Sequence, residues 1–213
     1  MKSPEVSILD YEMGNIKSII NAFESIGAIT KIINKPEEIL EAERLVIPGV
    51  GAFKEGMFKL KEKNLIKAIK RYTLSGKPLL GICLGMQFLM DESEEFGVSK
   101  GLGIIPGKVI SLKSLNEKKC KIPHMGWDKI INKNRTLWSK SVLKDVDSDD
   151  EFYFVHSFVP KPNKKENILS ITKYGNKNIC SSIVKNDVII GLQFHPEKSG
   201  NQGLKILRNF VKL

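Results

Sequence analysis

The chain has 213 residues, enough for one sizeable domain, and 41% of them are hydrophobic, as in ordinary globular proteins. The sequence contains no run of about 18 apolar residues, so we expect no membrane-spanning helix and no membrane partner. The net charge of +10 would suit nucleic-acid binding, but the lysines are interspersed with acids and form no arginine-rich arm. We therefore expect a solvated lysine-rich surface and no nucleic-acid partner.

The N-terminus and the cysteines bear on location and metal content. The first residues show no signal-peptide pattern, so we expect a cytoplasmic protein. The three cysteines, Cys83, Cys120 and Cys180, are widely spaced and form no CxxC pair, which predicts neither a disulfide framework nor a metal site. Cys120 and Cys180 are interpreted as small buried hydrophobes, and we expect no cofactor.

The first half of the chain alternates apolar strands with helices. We predict strands over residues 6–9, 30–33, 45–47 and 78–82, and helices over residues 16–26, from residue 36, and over about residues 65–74. Uniformly apolar strands separated by helices indicate a mostly parallel sheet that is covered on both faces.

The second half has the pattern of strands joined by turns. We predict strands over residues 108–112, 151–156, 168–172, 179–184 and 188–194, hairpin turns at 174–177 and 186–187, and a last helix over about residues 202–211. Antiparallel strands should therefore extend or flank the parallel sheet. With no linker or repeat in view, we expect one mixed α/β domain over residues 1–213.

The sharpest local feature is the segment Gly81-Ile82-Cys83-Leu84-Gly85, between a buried strand and a predicted helix. It has the pattern of a nucleophile elbow, whose glycines permit a tight turn and keep side chains away from the nucleophile. Cys83 would then lie at the carboxyl end of a strand, and the following helix would favour its thiolate. The Leu84 amide is placed to donate to an oxyanion. Taken alone, the segment equally fits a small buried cysteine.

A second feature lies far along the chain, where an apolar strand leads into His195-Pro196-Glu197. A cysteine nucleophile needs a base, and that base needs an acceptor to fix its tautomer. His195 and Glu197 supply both. A lone His-x-Glu is weak evidence, but together with the elbow it predicts a Cys–His–Glu triad.

A third feature is the glycine-containing turn at residues 48–53, directly after a strand. Gly49 and Gly51 permit positive φ and let backbone amides turn toward a ligand. A second oxyanion donor could come from this turn, although the segment alone is more typical of an ordinary glycine-rich turn.

Together these residues resemble the class I glutamine amidotransferases, in the elbow Gly-Ile-Cys-Leu-Gly-Met-Gln and the distal His-Pro-Glu. In detail the chain resembles the glutaminase subunits of imidazole glycerol phosphate synthases. The likeness lies in Met86 after the elbow, in residues 10–15 (Asp-Tyr-Glu-Met-Gly-Asn), in residues 123–127 (Pro-His-Met-Gly-Trp) and in residues 195–200 (His-Pro-Glu-Lys-Ser-Gly). It extends from about Val6 to Phe210.

The resemblance implies a class I glutamine amidotransferase-like fold and a role for each matching residue. Cys83 would attack glutamine to give a γ-glutamyl thioester, His195 would protonate the departing ammonia and then activate water, and Glu197 would orient His195. The Gly51 and Leu84 amides would form the oxyanion hole. The residues implied to hold glutamine are Gln87, Glu95 and the backbone of His156, Ser157 and Phe158.

The resemblance also implies a partner, a (β/α)₈ synthase that receives ammonia through an internal channel, in a heterodimer. The synthase would form imidazole glycerol phosphate and an aminoimidazole carboxamide ribotide in histidine biosynthesis. The matching partner-side residues are Asn15, Trp127, Tyr153 and Lys198. Each of these residues could instead have a purely structural role. Asn15 would then be a helix cap, Trp127 a buried core tryptophan, Tyr153 a strand residue and Lys198 a solvated lysine.

Three positions depart from the expected pattern and bear on the partner more than on the triad. Phe158 stands where a tyrosine is expected, Asp128 stands where an asparagine is expected, and Glu12 is unusual. The alternatives that remain are a paralogue that supplies ammonia for amidation of a surface sugar, a cysteine peptidase or other hydrolase on the same fold, and a non-catalytic binding module. His124 is interpreted as a brace for its motif and not as a second base.

Overall fold

Strands and short helices alternate along the chain, of which this computed structural model describes residues 3–115, 121–133 and 135–213. The strands are β1 (Glu5–Leu9), β2 (Ile29–Ile33), β3 (Leu45–Ile47), β4 (Leu79–Ile82), β5 (Glu92–Ser93), β6 (Ser99–Lys100), β7 (Gly107–Ser111), β8 (His124–Lys129), β9 (Ile131–Asn132), β10 (Glu151–His156), β11 (Phe158–Pro162), β12 (Ile168–Tyr174), β13 (Lys177–Lys185) and β14 (Ile189–Leu192). The helices are α1 (Ile16–Ser25), α2 (Pro36–Glu41), α3 (Phe53–Glu62), α4 (Leu65–Tyr72), α5 (Leu84–Gln87), α6 (Leu112–Leu115), α7 (Arg135–Lys140) and α8 (Gly200–Phe210), with 3-10 turns at Lys165–Asn167 and Pro196–Lys198.

The main sheet has eight strands in the order β2-β1-β3-β4-β14-β13-β12-β9. From β2 to β14 neighbouring strands are parallel, and from β14 to β9 they are antiparallel. The predicted fold class, a mostly parallel sheet extended by antiparallel strands from the C-terminal half, is confirmed. Two smaller sheets, β10-β8 and β11-β7-β5-β6, accompany it.

Apolar side chains cover both faces of the main sheet. Along β4, Leu79 belongs to one buried cluster, whereas Leu80 and Ile82 belong to the other, because successive strand residues point to opposite faces. Helices α2, α3 and α4 cover the face of Leu79, and α1 and α8 cover the face of Leu80. This two-sided burial is the physical reason for the uniformly apolar strands.

The register of the central strands brings distant segments to one edge of the sheet. Ile47 at the end of β3 lies opposite Gly81 of β4, and Ile82 lies opposite Leu192 at the end of β14. Since these three strands are parallel, the segments that follow them all emerge at the same edge. That edge carries the three features singled out in the sequence.

Some elements differ from the prediction. Helix α3 was not predicted, and strand β14 ends at Leu192, two residues earlier than expected. The predicted turn between β13 and β14 is confirmed, with φ of 53° at Asn186 and 60° at Asp187. Cys120 lies outside the described residues. Within the described ranges, none of the helices combines the length and apolar character needed to cross a bilayer.

Strand β4 should contribute strongly to the free energy of unfolding, because it is buried on both faces. Leu80 is fully buried, whereas Leu74, after α4, is 87% exposed. We expect Leu80→Ala to lower the free energy of unfolding by about 2–5 kcal/mol, and Leu74→Ala to change it by less than about 0.5 kcal/mol. Urea denaturation followed by circular dichroism measures both. Equal effects of the two variants would contradict this description of the core.

Candidate active site

Cys83 occupies a strained turn between β4 and α5. Its backbone has φ 53° and ψ −107°, a combination that a non-glycine residue adopts only when its surroundings enforce it. The Cys83 amide donates to the Leu192 carbonyl oxygen at 2.7 Å, which ties the turn to the end of β14. Strain of this kind is typical of residues held for function.

Close backbone approach explains the two glycines of the elbow. A Cβ on Gly85 would overlap the Ile47 carbonyl oxygen, and a Cβ on Gly81 would come within 2.6 Å of the Gly85 carbonyl oxygen. The elbow therefore packs directly against the end of β3. Helix α5 has only four residues, so the expected dipole support for a Cys83 thiolate is small, because few peptide dipoles are aligned.

The turn after β3 lies beside the elbow, but its two glycines serve different purposes. Gly51 has φ 102°, as expected for an amide turned toward a ligand. Gly49 does not have a positive φ, so that part of the prediction is wrong. Its requirement is steric, because a Cβ there would lie 2.5 Å from the Tyr11 hydroxyl and 2.8 Å from Leu84 Cβ.

His195 and Glu197 follow the end of β14 as a buried pair. His195 Nδ1 lies 2.8 Å from Glu197 Oε1, and the two side chains are only 3% and 2% exposed. Ser199 holds the segment in place, since its hydroxyl donates to the His195 carbonyl oxygen at 2.6 Å and accepts from the Tyr153 amide at 3.0 Å. The carboxylate thus fixes Nδ1–H as the protonated ring position.

The surroundings of His195 favour its charged form. Burial by itself lowers the pKa of His195, but interaction with the Cys83 sulfur and the Glu197 carboxylate outweighs it, so the pKa is raised above its usual value. His195 Nε2 is buried and makes no hydrogen bond of normal geometry to the described residues. That nitrogen is the ring position left for proton exchange with Cys83 or a substrate.

A cavity of about 280 Å³ joins these groups. It is lined by Val50, Gly51, Cys83, Leu84, Gln87, Glu95, Pro123, Val155, His156, Ser157, Phe158 and His195. Every residue predicted for catalysis, the oxyanion hole or substrate binding lines it except Glu197, which lies behind His195. A larger cavity of about 490 Å³ beside Trp138 is lined by no described histidine, cysteine or carboxylate, so it lacks the chemistry of the smaller one.

Two buried glutamines connect the cavity wall to the nucleophile. Gln87 Nε2 donates to the Phe158 carbonyl oxygen and to Gln193 Oε1, both at 3.1 Å. Gln193 Nε2 in turn lies 3.6 Å from Cys83 Sγ. Gln193 is fully buried and was not among the predicted site residues. The sequence feature that could have identified Gln193 is its polar side chain within an apolar segment, two residues before His195.

Glu95 has a structural partner at the cavity edge. Glu95 Oε2 accepts a hydrogen bond of 2.6 Å from the Phe53 amide, the first residue of α3. An acceptor at this position satisfies one of the free amides of a helix N-terminus. Since Ala52 at the N-cap offers no side-chain acceptor, Glu95 provides the cap from a distant loop.

His156 forms the cavity wall opposite the elbow. Its Nδ1 lies 2.9 Å from the Phe158 carbonyl oxygen. Burial and the nearby His124 lower the pKa of His156 to about 3, so this imidazole is neutral at ordinary pH. The predicted segment of residues 156–158 therefore lies against the cavity with its backbone held by side chains.

Three of the four residues predicted for a partner surface, Trp127, Tyr153 and Lys198, lie together beside His195. Trp127 is 52% exposed, so the interpretation as a buried core tryptophan is wrong. Its ring centroid lies 6.0 Å from that of Tyr153, and Lys198 Nζ lies 5.8 Å from the Tyr153 ring. Asn15 caps α1, accepting from the Ser18 amide at 3.3 Å.

Comparisons with known proteins place this geometry in a family. Residues 7–213 match the family model described as glutamine amidotransferase class-I. The chain is 44% identical over 211 residues to the imidazole glycerol phosphate synthase subunit HisH 1 of Legionella pneumophila (strain Lens), covering 98% of this chain and 99% of the relative. It is also 44% identical over 208 residues to the imidazole glycerol phosphate synthase subunit HisH of Sulfurimonas denitrificans, covering 97% of each. The structure of PurLQS from Thermotoga maritima shares the fold, with a TM-score of 0.72 at 17% identity over 99% of both chains.

Removal of the Gln193 amide should slow the reaction of Cys83 with alkylating agents. A hydrogen bond to a charged group contributes about 1.5–3 kcal/mol, so Gln193→Leu should reduce the rate of Cys83 carboxamidomethylation roughly tenfold or more. The rate is measured by mass spectrometry of the Cys83 peptide after timed exposure to iodoacetamide. Gln202→Leu, on α8 away from the cavity, is the matched control. Equal labelling rates in a folded Gln193→Leu protein would show that Gln193 does not act on the sulfur.

Proposed function

The chain belongs to the class-I glutamine amidotransferases, and we propose that it is the glutaminase subunit of an imidazole glycerol phosphate synthase. The observation that carries this proposal is that Cys83 and the buried His195–Glu197 pair meet at one small cavity. The likeness to imidazole glycerol phosphate synthase subunits covers 98% of this chain. It favours that synthase, and not an enzyme that amidates a surface sugar, as the recipient of the ammonia. A cavity of this size suits one amino acid better than a peptide chain.

Release of ammonia begins at Cys83. Its thiolate adds to the carboxamide carbon of glutamine, and the Gly51 and Leu84 amides stabilise the negative oxygen that forms. The His195 imidazolium gives its Nε2 proton to the amide nitrogen, the C–N bond breaks, and ammonia leaves a γ-glutamyl thioester on Cys83. The raised pKa of His195 suits this step, because the donor is charged before the reaction begins.

Hydrolysis of the thioester uses His195 in the opposite direction. The now neutral imidazole takes a proton from water, and the resulting hydroxide adds to the thioester carbon. The C–S bond then breaks to release glutamate and regenerate the Cys83 thiolate. Glu197 keeps Nδ1 protonated throughout, which leaves Nε2 as the reacting nitrogen.

Glutamine itself is held by the walls of the cavity in this proposal. Glu95 offers a carboxylate to the substrate ammonium group, and the backbone of residues 156–158 lies along the substrate. Gln87 fixes that backbone through its hydrogen bond to the Phe158 carbonyl oxygen. Phe158 lacks the hydroxyl of the expected tyrosine, so the pocket relies on this backbone contact.

Ammonia would pass to a (β/α)₈ synthase subunit docked against Trp127 in a heterodimer. Tyr153 lies between Trp127 and the active site, since its ring centroid is 6.0 Å from Trp127 and 6.5 Å from His195. With Lys198 and Asn15, it would border the exit for ammonia. The synthase would use the ammonia to form imidazole glycerol phosphate and an aminoimidazole carboxamide ribotide.

The proposal includes the bounds of the amidotransferase domain and its location in the cell. The main sheet takes β1–β4 from the first half of the chain and β9 and β12–β14 from the second, which supports one amidotransferase domain over residues 1–213. A cytoplasmic location stays a prediction.

The triad assignment predicts different effects for two buried cysteines. Cys83→Ala should lower glutamine hydrolysis by roughly 10³-fold or more, because the nucleophile is lost. Cys180→Ala should keep the wild-type rate, since Cys180 lies away from the cavity. Glutamate and ammonia release are measured with a histidine-pathway synthase barrel and its ribotide substrate. Full activity of Cys83→Ala would contradict the mechanism, and a folded wild type that stays inactive with this barrel would indicate another acceptor.

A second pair of variants tests the proposed partner surface. Trp127→Ala should raise the dissociation constant for the synthase barrel roughly 30-fold or more, as expected when an aromatic anchor is removed from an interface. Leu74→Ala, another exposed apolar change before β4 begins, should leave the constant unchanged. Isothermal titration calorimetry measures both. A Trp127→Ala protein that binds the barrel like wild type would place the interface elsewhere.

A further inference from the structure

A line of hydrogen-bonded side chains lies behind the glutamine pocket and has no part in the mechanism above. His156 Nδ1 lies 2.9 Å from the Phe158 carbonyl oxygen, and His156 Nε2 lies 3.0 Å from His124 Nδ1. His124 Nε2 lies 2.7 Å from Asp128 Oδ2. We call these three side chains, His156, His124 and Asp128, the imidazole chain.

The imidazole chain needs one more proton than its neutral members carry. Both of its ends are acceptors, the Phe158 carbonyl oxygen and the Asp128 carboxylate, and it has three hydrogen-bonded links. Each link needs one proton, but two neutral imidazoles supply only two. All three short contacts are satisfied only when the chain carries an extra proton, shared between His124 and Asp128.

The inner end of the chain reaches the substrate pocket. The Phe158 carbonyl oxygen accepts from His156 on one side and from Gln87 on the other. Gln87 continues through Gln193 to within 3.6 Å of Cys83 Sγ. The orientation of the Phe158 peptide, which borders the glutamine cavity, therefore depends on the proton content of the imidazole chain.

We propose that Asp128 is a positioning residue for glutamine binding, which acts by holding an extra proton on His124 and so keeping the His156 Nδ1–H bonded to the Phe158 carbonyl oxygen. This inference rests on the proposed glutaminase function. The outer end faces solvent, since the Asp128 side chain is 41% exposed and that of His124 is 2% exposed. The extra proton can thus exchange with water at Asp128 without opening the pocket.

The surroundings of the chain determine the direction of its pH dependence. Burial lowers the pKa of His124, and Asp128 opposes this only in part. Two further titratable groups act on the chain, Tyr174 of β12, whose ring centroid lies 4.2 Å from that of His124, and His195, whose charge lowers the pKa of His156. The extra proton is therefore bound at low pH and lost as the pH rises. The Asp128 carboxylate then keeps the remaining His124 proton at Nε2, His156 donates from Nε2 to His124 Nδ1, and the link to the Phe158 carbonyl oxygen is the one lost.

Replacement of the Asp128 carboxylate by an amide would remove this requirement. In Asp128→Asn the new side-chain NH₂ group would donate to His124 Nε2, and two neutral imidazoles would then complete all three links at any pH. The KM for glutamine of wild type, measured with the synthase barrel between pH 5 and 8, should rise roughly three- to tenfold, as expected for one lost hydrogen bond. Most of the rise should fall below the ordinary histidine pKa of 6.5, because the pKa of His124 is lowered. The KM of Asp128→Asn should stay constant, and its kcat should match that of wild type at each pH.

Asp149→Asn is the matched control. Asp149 pairs with Lys129, the residue after Asp128, and its side chain is 87% exposed, so the variant removes one carboxylate charge without touching the imidazole chain. Its KM should follow the wild-type pH profile. A flat wild-type profile, or an Asp149→Asn profile as flat as that of Asp128→Asn, would overturn the proposal.

A second measurement separates this inference from the proposed function. The chain has three histidines, so the ring nitrogens of ¹⁵N-histidine-labelled protein can be assigned by NMR. Wild type should show a doubly protonated His124 beside a neutral His156 at low pH, and Asp128→Asn should show two neutral rings throughout. Neutral rings in wild type at every pH would overturn the inference even with normal glutaminase activity. The expected rings in a protein without glutaminase activity would overturn the proposed function alone.

Discussion

The active site depends on how closely β3, β4 and β14 approach one another at their carboxyl ends. The elbow at Gly85 packs against the Ile47 carbonyl oxygen with no room for a Cβ, and the Cys83 amide is bound to the Leu192 carbonyl oxygen. Because the three strands are parallel, the turn of Gly51, the nucleophile and the segment of His195 must share one edge. Side chains 110 positions apart, those of Cys83 and Gln193, meet there.

Much of this arrangement could be predicted because burial on both faces leaves a clear sequence pattern. The strands β1, β3, β4 and β14 are short apolar runs, and their composition alone indicates a covered parallel sheet. Helix α3 was missed because it contains Gly56, and glycine disfavours helix formation, although its lysines and glutamates favour it. The structure explains that glycine, since a Cβ there would overlap the ring of Phe88. Packing overrode local propensity.

The residues of the candidate site also differ in how clearly the sequence reveals them. The residues proposed to react, such as Cys83 and His195, lie in recognisable motifs, and the structure places both at one cavity, as the sequence predicted. Side chains that hold the site, such as those of Gln193 and His156, have partners far away in the sequence or on another strand, and no local pattern reveals a hydrogen bond. The positive φ expected at Gly49 failed for the same reason, because its neighbours in space impose close packing.

Two histidine–carboxylate pairs in this protein show how the surroundings of a histidine determine its charge. The nitrogen–oxygen distances are almost equal, 2.8 Å for His195–Glu197 and 2.7 Å for His124–Asp128. Yet the pKa of His195 is raised and that of His124 is lowered. Glu197 is shielded from water and acts on His195 together with the sulfur of Cys83, whereas water screens the exposed Asp128. In the proposed mechanism His195 thus holds the proton that the leaving ammonia takes, and the imidazole chain holds a proton that solvent can remove.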